Sequence, residues 1–200
     1  MKRASAILGV IGALLLGYWL TVHIQERLFQ SEARSRISIG EYPNPSAASK
    51  DTLQVDSNTP VVPRHPEPGS LVATLDIPRI GLSVAVVEGI DDEQLRVAAG
   101  HVPGTAFPGE NSNVAFAAHR DTHFRPLRSV RLDDEVEMTA GNRLYQYRVV
   151  STKIVKPEDI QVLYPTDRET LTLVTCYPFN YIGAAPSRFI VRAECTNCAP

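Results

Sequence analysis

The stretch LTLVTCYPF (171–179) ends an apolar, β-branched run on a thiol. Leu171, Leu173 and Val174 with Thr170, Thr172 and Thr175 have the composition of a buried strand. Pro178 then stops ladder pairing. At that strand end Cys176 is held rigidly and can still face a cleft, a placement that suits a nucleophile. The competing role is packing, since free cysteines are commonly buried as small hydrophobes. A second short apolar run, VAFAAHR (114–120), carries His119 at its end. Thiolate chemistry needs a base or imidazolium partner, usually distant in sequence and close in space. The third run, RFIVR (188–192), opens on Arg188 after a loop containing Pro178, Gly183 and Pro186. Antiparallel pairing of that run with 170–175 would bring Arg188 beside Cys176, placing a fixed positive charge where an oxyanion develops.

These residues resemble the sortase family of cysteine transpeptidases. Its signature joins TLxTC, a histidine after an apolar strand, and an arginine on the strand following the cysteine. Thr172, Leu173, Val174, Thr175 and Cys176 fit that pattern, with His119 and Arg188 in the expected order. The text AAHRDTHFRPL (117–127) and TLVTCYPF (172–179) is most similar to class D sortases, over roughly residues 69–194. The resemblance implies a two-step acyl transfer. Cys176 would attack the threonine carbonyl of an LPxT-type sorting signal to give a thioester. His119 would protonate the leaving amine and later deprotonate the incoming one, and Arg188 would hold the oxyanion or orient the peptide. Implied partners are surface proteins with an LPxT-like C-terminal signal and an amine acceptor from the cell wall or another protein.

The resemblance also places substrate contacts. The segment leading into the cysteine strand, 156–169 here, shapes the pocket for leucine and proline, with Ile160, Val162 and Leu163 as candidates. Thr175, Tyr177 and Tyr181 are the candidates on the cysteine strand and the loop after it. Some family members bind calcium, for which Asp133, Asp134 and Glu135 are the acidic run here; no cofactor is assigned.

Strands must position these groups. Strand patterning is found at 72–77, 84–88, 114–118, 134–139, 144–154, 170–175 and 188–193. Gly141-Asn142 between two of these runs is a hairpin signal. Short helices are expected at 91–98, near 124–129 and at 157–162. Many short strands and few helices indicate a mainly β domain, either a closed barrel or a sandwich. The family resemblance selects the eight-stranded β-barrel.

The chain has 200 residues and a formal net charge of −2, which gives no electrostatic footprint for nucleic acid. Composition divides it into four parts: 1–30, 31–69, 70–194 and 195–200. Lys2 and Arg3 precede a nearly uncharged run, 4–22, about long enough to cross a bilayer as a helix. Tyr18 and Trp19 suit the interface, and the positive flank places the rest of the chain outside the cell membrane. A cleaved signal peptide is the alternative, but small residues at a cleavage site are lacking in Tyr-Trp-Leu-Thr-Val-His (18–23). Residues 31–69 are rich in Ser, Asn and Pro without apolar periodicity, and read as a tether spanning about 35 Å. The last part carries Cys195 and Cys198 as a C-x-x-C, which fits a disulfide, free thiols, a redox pair or half a metal site; exchange with Cys176 is also conceivable.

Four other histidines are weaker candidates. His101 precedes a Val-Pro-Gly loop and reads as structural or substrate-adjacent, and His123 follows His119 without the glutamate of a zinc helix. His65 falls in the tether and His23 at the membrane edge, while Asp121 is placed to orient His119 or to begin a turn. Two further functional readings stand beside the transpeptidase: a plain thiol peptidase, and a non-catalytic tethered β-domain that binds a surface partner.

Overall fold

Strand Thr170–Tyr177 buries Leu171, Leu173 and Thr175 on one face and turns Thr172, Val174 and Cys176 to the other. The same period-two alternation recurs in its neighbours, and the strands close into a barrel. The computed structural model describes residues 66–198 together with Gly12, Leu16 and Gly17. Its strands are β1 (Leu71–Ile77), β2 (Leu82–Glu88), β3 (Ala99–His101), β4 (Asn113–Ala117), β5 (Glu135–Ala140), β6 (Arg143–Val155), β7 (Thr170–Tyr177) and β8 (Ser187–Cys195). Around the barrel they run β1-β2-β3-β4-β7-β8-β6-β5, and β5 pairs back onto β1. β2–β3 and β4–β7 pair in parallel, the remaining neighbours antiparallel.

Inward positions fill the barrel with Leu75, Ile77, Phe116, Met138, Leu171, Leu173 and Val191, all withdrawn from solvent. Burial of each such side chain stabilises the fold by about 1.5–3 kcal/mol. Phe124 and Leu127, from the segment after His119, join this core and fix that segment against the barrel.

Seven strands lie where the alternation places them; β3 is the addition. Three residues, Ala-Gly-His, are too few to display a period. Gly100 is required there by close approach, since a Cβ would stand 2.1 Å from the Gly89 carbonyl oxygen. Helix α1 spans Asp92–Val97. The other two expected helices are 3₁₀ turns, Arg125–Ser129 and Ile160–Leu163, too short to propagate an α-helix. Gly141 takes φ 56° in the hairpin between β5 and β6, as a glycine-first two-residue turn requires.

His101 is structural. It is fully buried, with Nδ1 2.7 Å from a Glu88 carboxylate oxygen and Nε2 3.0 Å from the Ala106 carbonyl oxygen. That pairing ties β2, β3 and the loop before β4 together.

In the acidic run 133–135, Asp134 is engaged by the Arg79 guanidinium and accepts the Arg131 backbone N–H at 2.8 Å. Both of its oxygens accept from Arg79, so a calcium ion at Asp134 would have to compete with that guanidinium. The hydrogen bond from Arg79 holds the Asp134 carboxyl below its ordinary pKa. A carboxyl depressed on folding stabilises the fold above the unfolded value of about 4, and loses that effect as pH falls through its own lower value. Thermal melts from pH 7 to pH 2 should show Asp134→Asn less stable at neutral pH. They should also show the variant converging on the parent protein in acid; a constant gap across that range would refute the assignment.

Among the described residues no helix is long and apolar enough to cross a membrane. Apart from Gly12, Leu16 and Gly17, the expected anchor over 1–30 lies outside the described residues, as do all but the last residues of the expected tether.

Candidate active site

Two backbone contacts carry the β4–β7 register toward the end of both strands. Ala117 pairs with Val174, and the Ala118 N–H donates to the Val174 carbonyl at 3.2 Å. The Thr175 hydroxyl donates to the Ala118 carbonyl at 2.7 Å. β4 ends at Ala117, and His119 follows two residues on, beside the stretch of β7 that carries Cys176. On the other side of β7, Cys176 is the direct antiparallel partner of Arg188, which in turn pairs with Val155 of β6. Register partners project to one side of a sheet. Cys176 and Arg188 thus lie side by side on the outer surface of the barrel, and His119, two residues past the end of β4, completes a candidate row with them.

Exposure along the row suits chemistry. Cys176 and Arg188 are half-buried and His119 is exposed. Cys176 is the free thiol among the described residues, and a packing role is ill-matched to its outward direction. The Arg188 Nη1 donates to the Ser187 carbonyl at 3.1 Å and the Ala185 carbonyl at 3.3 Å, which fixes the guanidinium at the mouth of the 178–186 loop.

That loop is held from the other side by Arg120. Its Nη2 donates to the carbonyls of Tyr181 (2.6 Å) and Gly183 (3.1 Å), and the guanidinium lies 6.0 Å from the Tyr181 ring centroid. The residue next to His119 therefore straps down the loop next to Arg188. Arg120 went unassigned in the sequence reading because its partners are backbone carbonyls of a distant loop, which leave no residue-type signal.

A groove of about 410 Å³ opens beside the row, beneath the 3₁₀ turn Ile160–Leu163. Val155, Val162 and Ile190 supply its apolar lining, and Lys153, Asp159 and Arg192 its polar rim. Ile190 is the register partner of Val174 and Val155 that of Arg188, so this lining adjoins the row directly. The sequence expected a groove wall from 156–169 and missed the β6 and β8 contributions. Their outward parity becomes readable only once β8 is known to pair with both β6 and β7.

The expected substrate contacts separate. Val162 lines the groove and Leu163 is half-buried in the same turn. Ile160, at 57% exposed, points away from the groove lining. Thr175 is a correction: it is 2% exposed, projects into the barrel and braces Ala118, because it has the inward parity of Leu171 and Leu173. Tyr177 shares that parity and stacks on Phe189 with Phe179 nearby, closing the barrel end. Tyr181 is exposed beneath Arg120. Asp121 is exposed in the turn after His119, and no hydrogen bond joins it to the His119 ring among the described residues.

Cys195 and Cys198 form a disulfide. Their sulfurs converge with a Glu169 oxygen, but bonding to one another removes both thiolates that a metal would need. The Cys195 N–H donates to the Glu169 carbonyl, at the start of β7. Cys176 lies at the far end of that strand, about 20 Å away at the usual strand rise. Direct exchange between this disulfide and Cys176 is thereby excluded within one folded chain.

A family model for the sortase domain matches residues 75–196, more than half of the chain. Sortase D of Bacillus subtilis is 35% identical over 127 residues, covering 63% of this chain and 64% of its own length. Sortase SrtE1 of Streptomyces coelicolor is 29% identical over 131 residues, covering 56% of this chain and 37% of its own length. The chain thus spans less than two thirds of the length of these curated relatives. Among solved structures, a Clostridium perfringens Sortase D5 transpeptidase superimposes with a TM-score of 0.60 at 31% identity, covering 66% of this chain and 82% of that one. Sortase A from Corynebacterium diphtheriae gives 0.59 at 28% identity, covering 65% and 62%.

Proposed function

The chain belongs to the sortase family, most like class D, and from that premise we propose that it is a membrane-anchored cysteine transpeptidase. It cleaves an LPxT-type sorting signal after the threonine and joins the threonine carbonyl to an amine, attaching surface proteins to the cell wall or to one another. The observation that supports this reading is the pairing of Cys176 with Arg188 across β7 and β8, with His119 just past the end of β4 on the other side of β7 and a groove of mixed polar and apolar lining beside them.

In the first step the Cys176 sulfur bonds to the threonine carbonyl carbon, and the C–N bond breaks as His119 gives its proton to the leaving amine. In the second, His119 takes a proton from the incoming amine, whose nitrogen bonds to the same carbon and expels the Cys176 thiolate. Two displacements replace one difficult amide exchange. The signal's leucine and proline have apolar partners in Val155, Val162 and Ile190. The anchor is the apolar run 4–22, which holds the barrel on the outer side of the membrane through the 31–69 tether.

Arg188 supplies a planar, permanent charge fixed by two backbone carbonyls. Arg188→Lys keeps the charge but loses the fork, so its rate of amine-dependent product formation should fall about 10²–10³-fold. Retention of more than half of the parent rate would remove Arg188 from the mechanism.

The reading as a whole is tested with the purified protein, an LPxTG and LPxTA peptide library and a primary amine, followed by mass spectrometry. A Cys176 thioester that the amine converts to linked product is expected. Hydrolysis with no transfer at any amine concentration would instead identify a thiol peptidase. No adduct on an alkylation-resistant Cys176 would leave a tethered binding domain.

A further inference from the structure

The segment between β6 and β7 lies over the outer face of the barrel, and its hold on that face is polar. The Asn113 side chain, 1% exposed at the start of β4, donates through Nδ2 to the Val162 carbonyl (3.0 Å) and the Tyr164 carbonyl (3.1 Å). Both carbonyls can only accept, which fixes the amide with its nitrogen toward them. Oδ1 then faces the Thr172 hydroxyl, which donates at 2.7 Å from a fully buried position on β7. The Arg192 Nη2 donates to the same Val162 carbonyl at 3.1 Å from β8, using its second lone pair. β4 and β8 thus hold the Val162–Tyr164 turn directly, and β7 braces Asn113 through Thr172.

We propose that Asn113, Thr172 and Arg192 form a clamp that presets the groove before any peptide arrives. Asn113 and Thr172 are positioning residues: neither lines the groove, and each acts through the turn that carries Val162. The two buried members stand on β4, which runs out two residues before His119, and on β7, which carries Cys176 next to its end, so the clamp sets groove wall and reacting groups on one frame. The first threonine of the TLVTC text owes its hydroxyl to this role, because valine would fill the same space without supplying the donor. Holding the turn in its binding shape removes an ordering cost from peptide capture and leaves the chemical step untouched.

The test uses Asn113→Asp and Thr172→Val. The first is equal in size but sets a carboxylate against two carbonyls; the second is a milder change that removes one hydroxyl. Hydrogen exchange read by mass spectrometry reports on the clamp in the absence of substrate. Amides of 160–164 should exchange at least about tenfold faster in both variants, with β1 and β2 unchanged. With an LPxT-type peptide, KM should rise about tenfold while kcat and the rate of iodoacetamide labelling of Cys176 stay within about twofold. Only this kinetic arm rests on the transpeptidase reading; the exchange arm decides the clamp even if no peptide is turned over. Unchanged exchange at 160–164 overturns the clamp. Faster exchange throughout the barrel in Thr172→Val also overturns it, since that assigns the hydroxyl to general stability.

Discussion

Cys176→Ala is expected to abolish amine-dependent transfer, with a loss of more than about 10³-fold, while melting temperature and hydrogen exchange remain those of the parent. The separation follows from direction. Cys176 projects from the outer face of β7, whereas Leu171, Leu173 and Thr175 project inward and carry the packing of that strand. Removing one outward sulfur leaves no cavity in the core, so the large costs of core truncation do not arise. What disappears is the atom that forms the thioester, and neither His119 nor Arg188 can replace it as a nucleophile. Mass spectrometry of parent and variant with an LPxT-type peptide tests this directly. A variant that still gives linked product at a measurable fraction of the parent rate refutes nucleophilic catalysis by Cys176. A variant that fails to fold refutes the outward placement instead.

Much of this was legible in the residues, for identifiable reasons. Strands β4, β7 and β8 announce themselves because buried alternation must be written in side-chain types, and each candidate reacting group lies within two residues of an end of one of them. Their order around the barrel is not written locally; the family resemblance selected the eight-stranded barrel, and the order emerges only from the strand pairing. Where the sequence reading failed, the interactions involve backbone. Arg120, Asn113 and Arg192 all bind carbonyls of loops distant in sequence, and a carbonyl is the same at every position. β3 escaped because its place depends on close packing of Gly100 against Gly89 rather than on a pattern. Thr175 was misplaced by one residue's parity, since adjacency to Cys176 along a strand means the opposite face.

His119→Ala should lower the transfer rate by about 10²–10⁴-fold, the range for loss of a positioned acid and base. Substrate peptide should still bind, because the groove is built from β6, β8 and the Ile160–Leu163 turn. The histidine is anchored through its backbone. Its carbonyl accepts the Phe124 N–H at 3.1 Å, and Phe124 is locked in the core. No hydrogen bond holds its ring among the described residues, so the imidazole can serve the leaving amine and then the incoming one without breaking a fixed contact. Asp121→Asn is therefore expected to keep most of the rate, unlike a variant in a site where a carboxylate orients the base. The leaving group supplies a finer check. An ester analogue with an acidic alcohol departs without a proton, so His119→Ala should acylate Cys176 from it far faster than from the amide. Resolution of that thioester by the amine should remain slow, because the incoming nitrogen has lost its base. Equal losses with ester and amide would show that His119 acts on Cys176 alone, and near-parental transfer would remove it from the site.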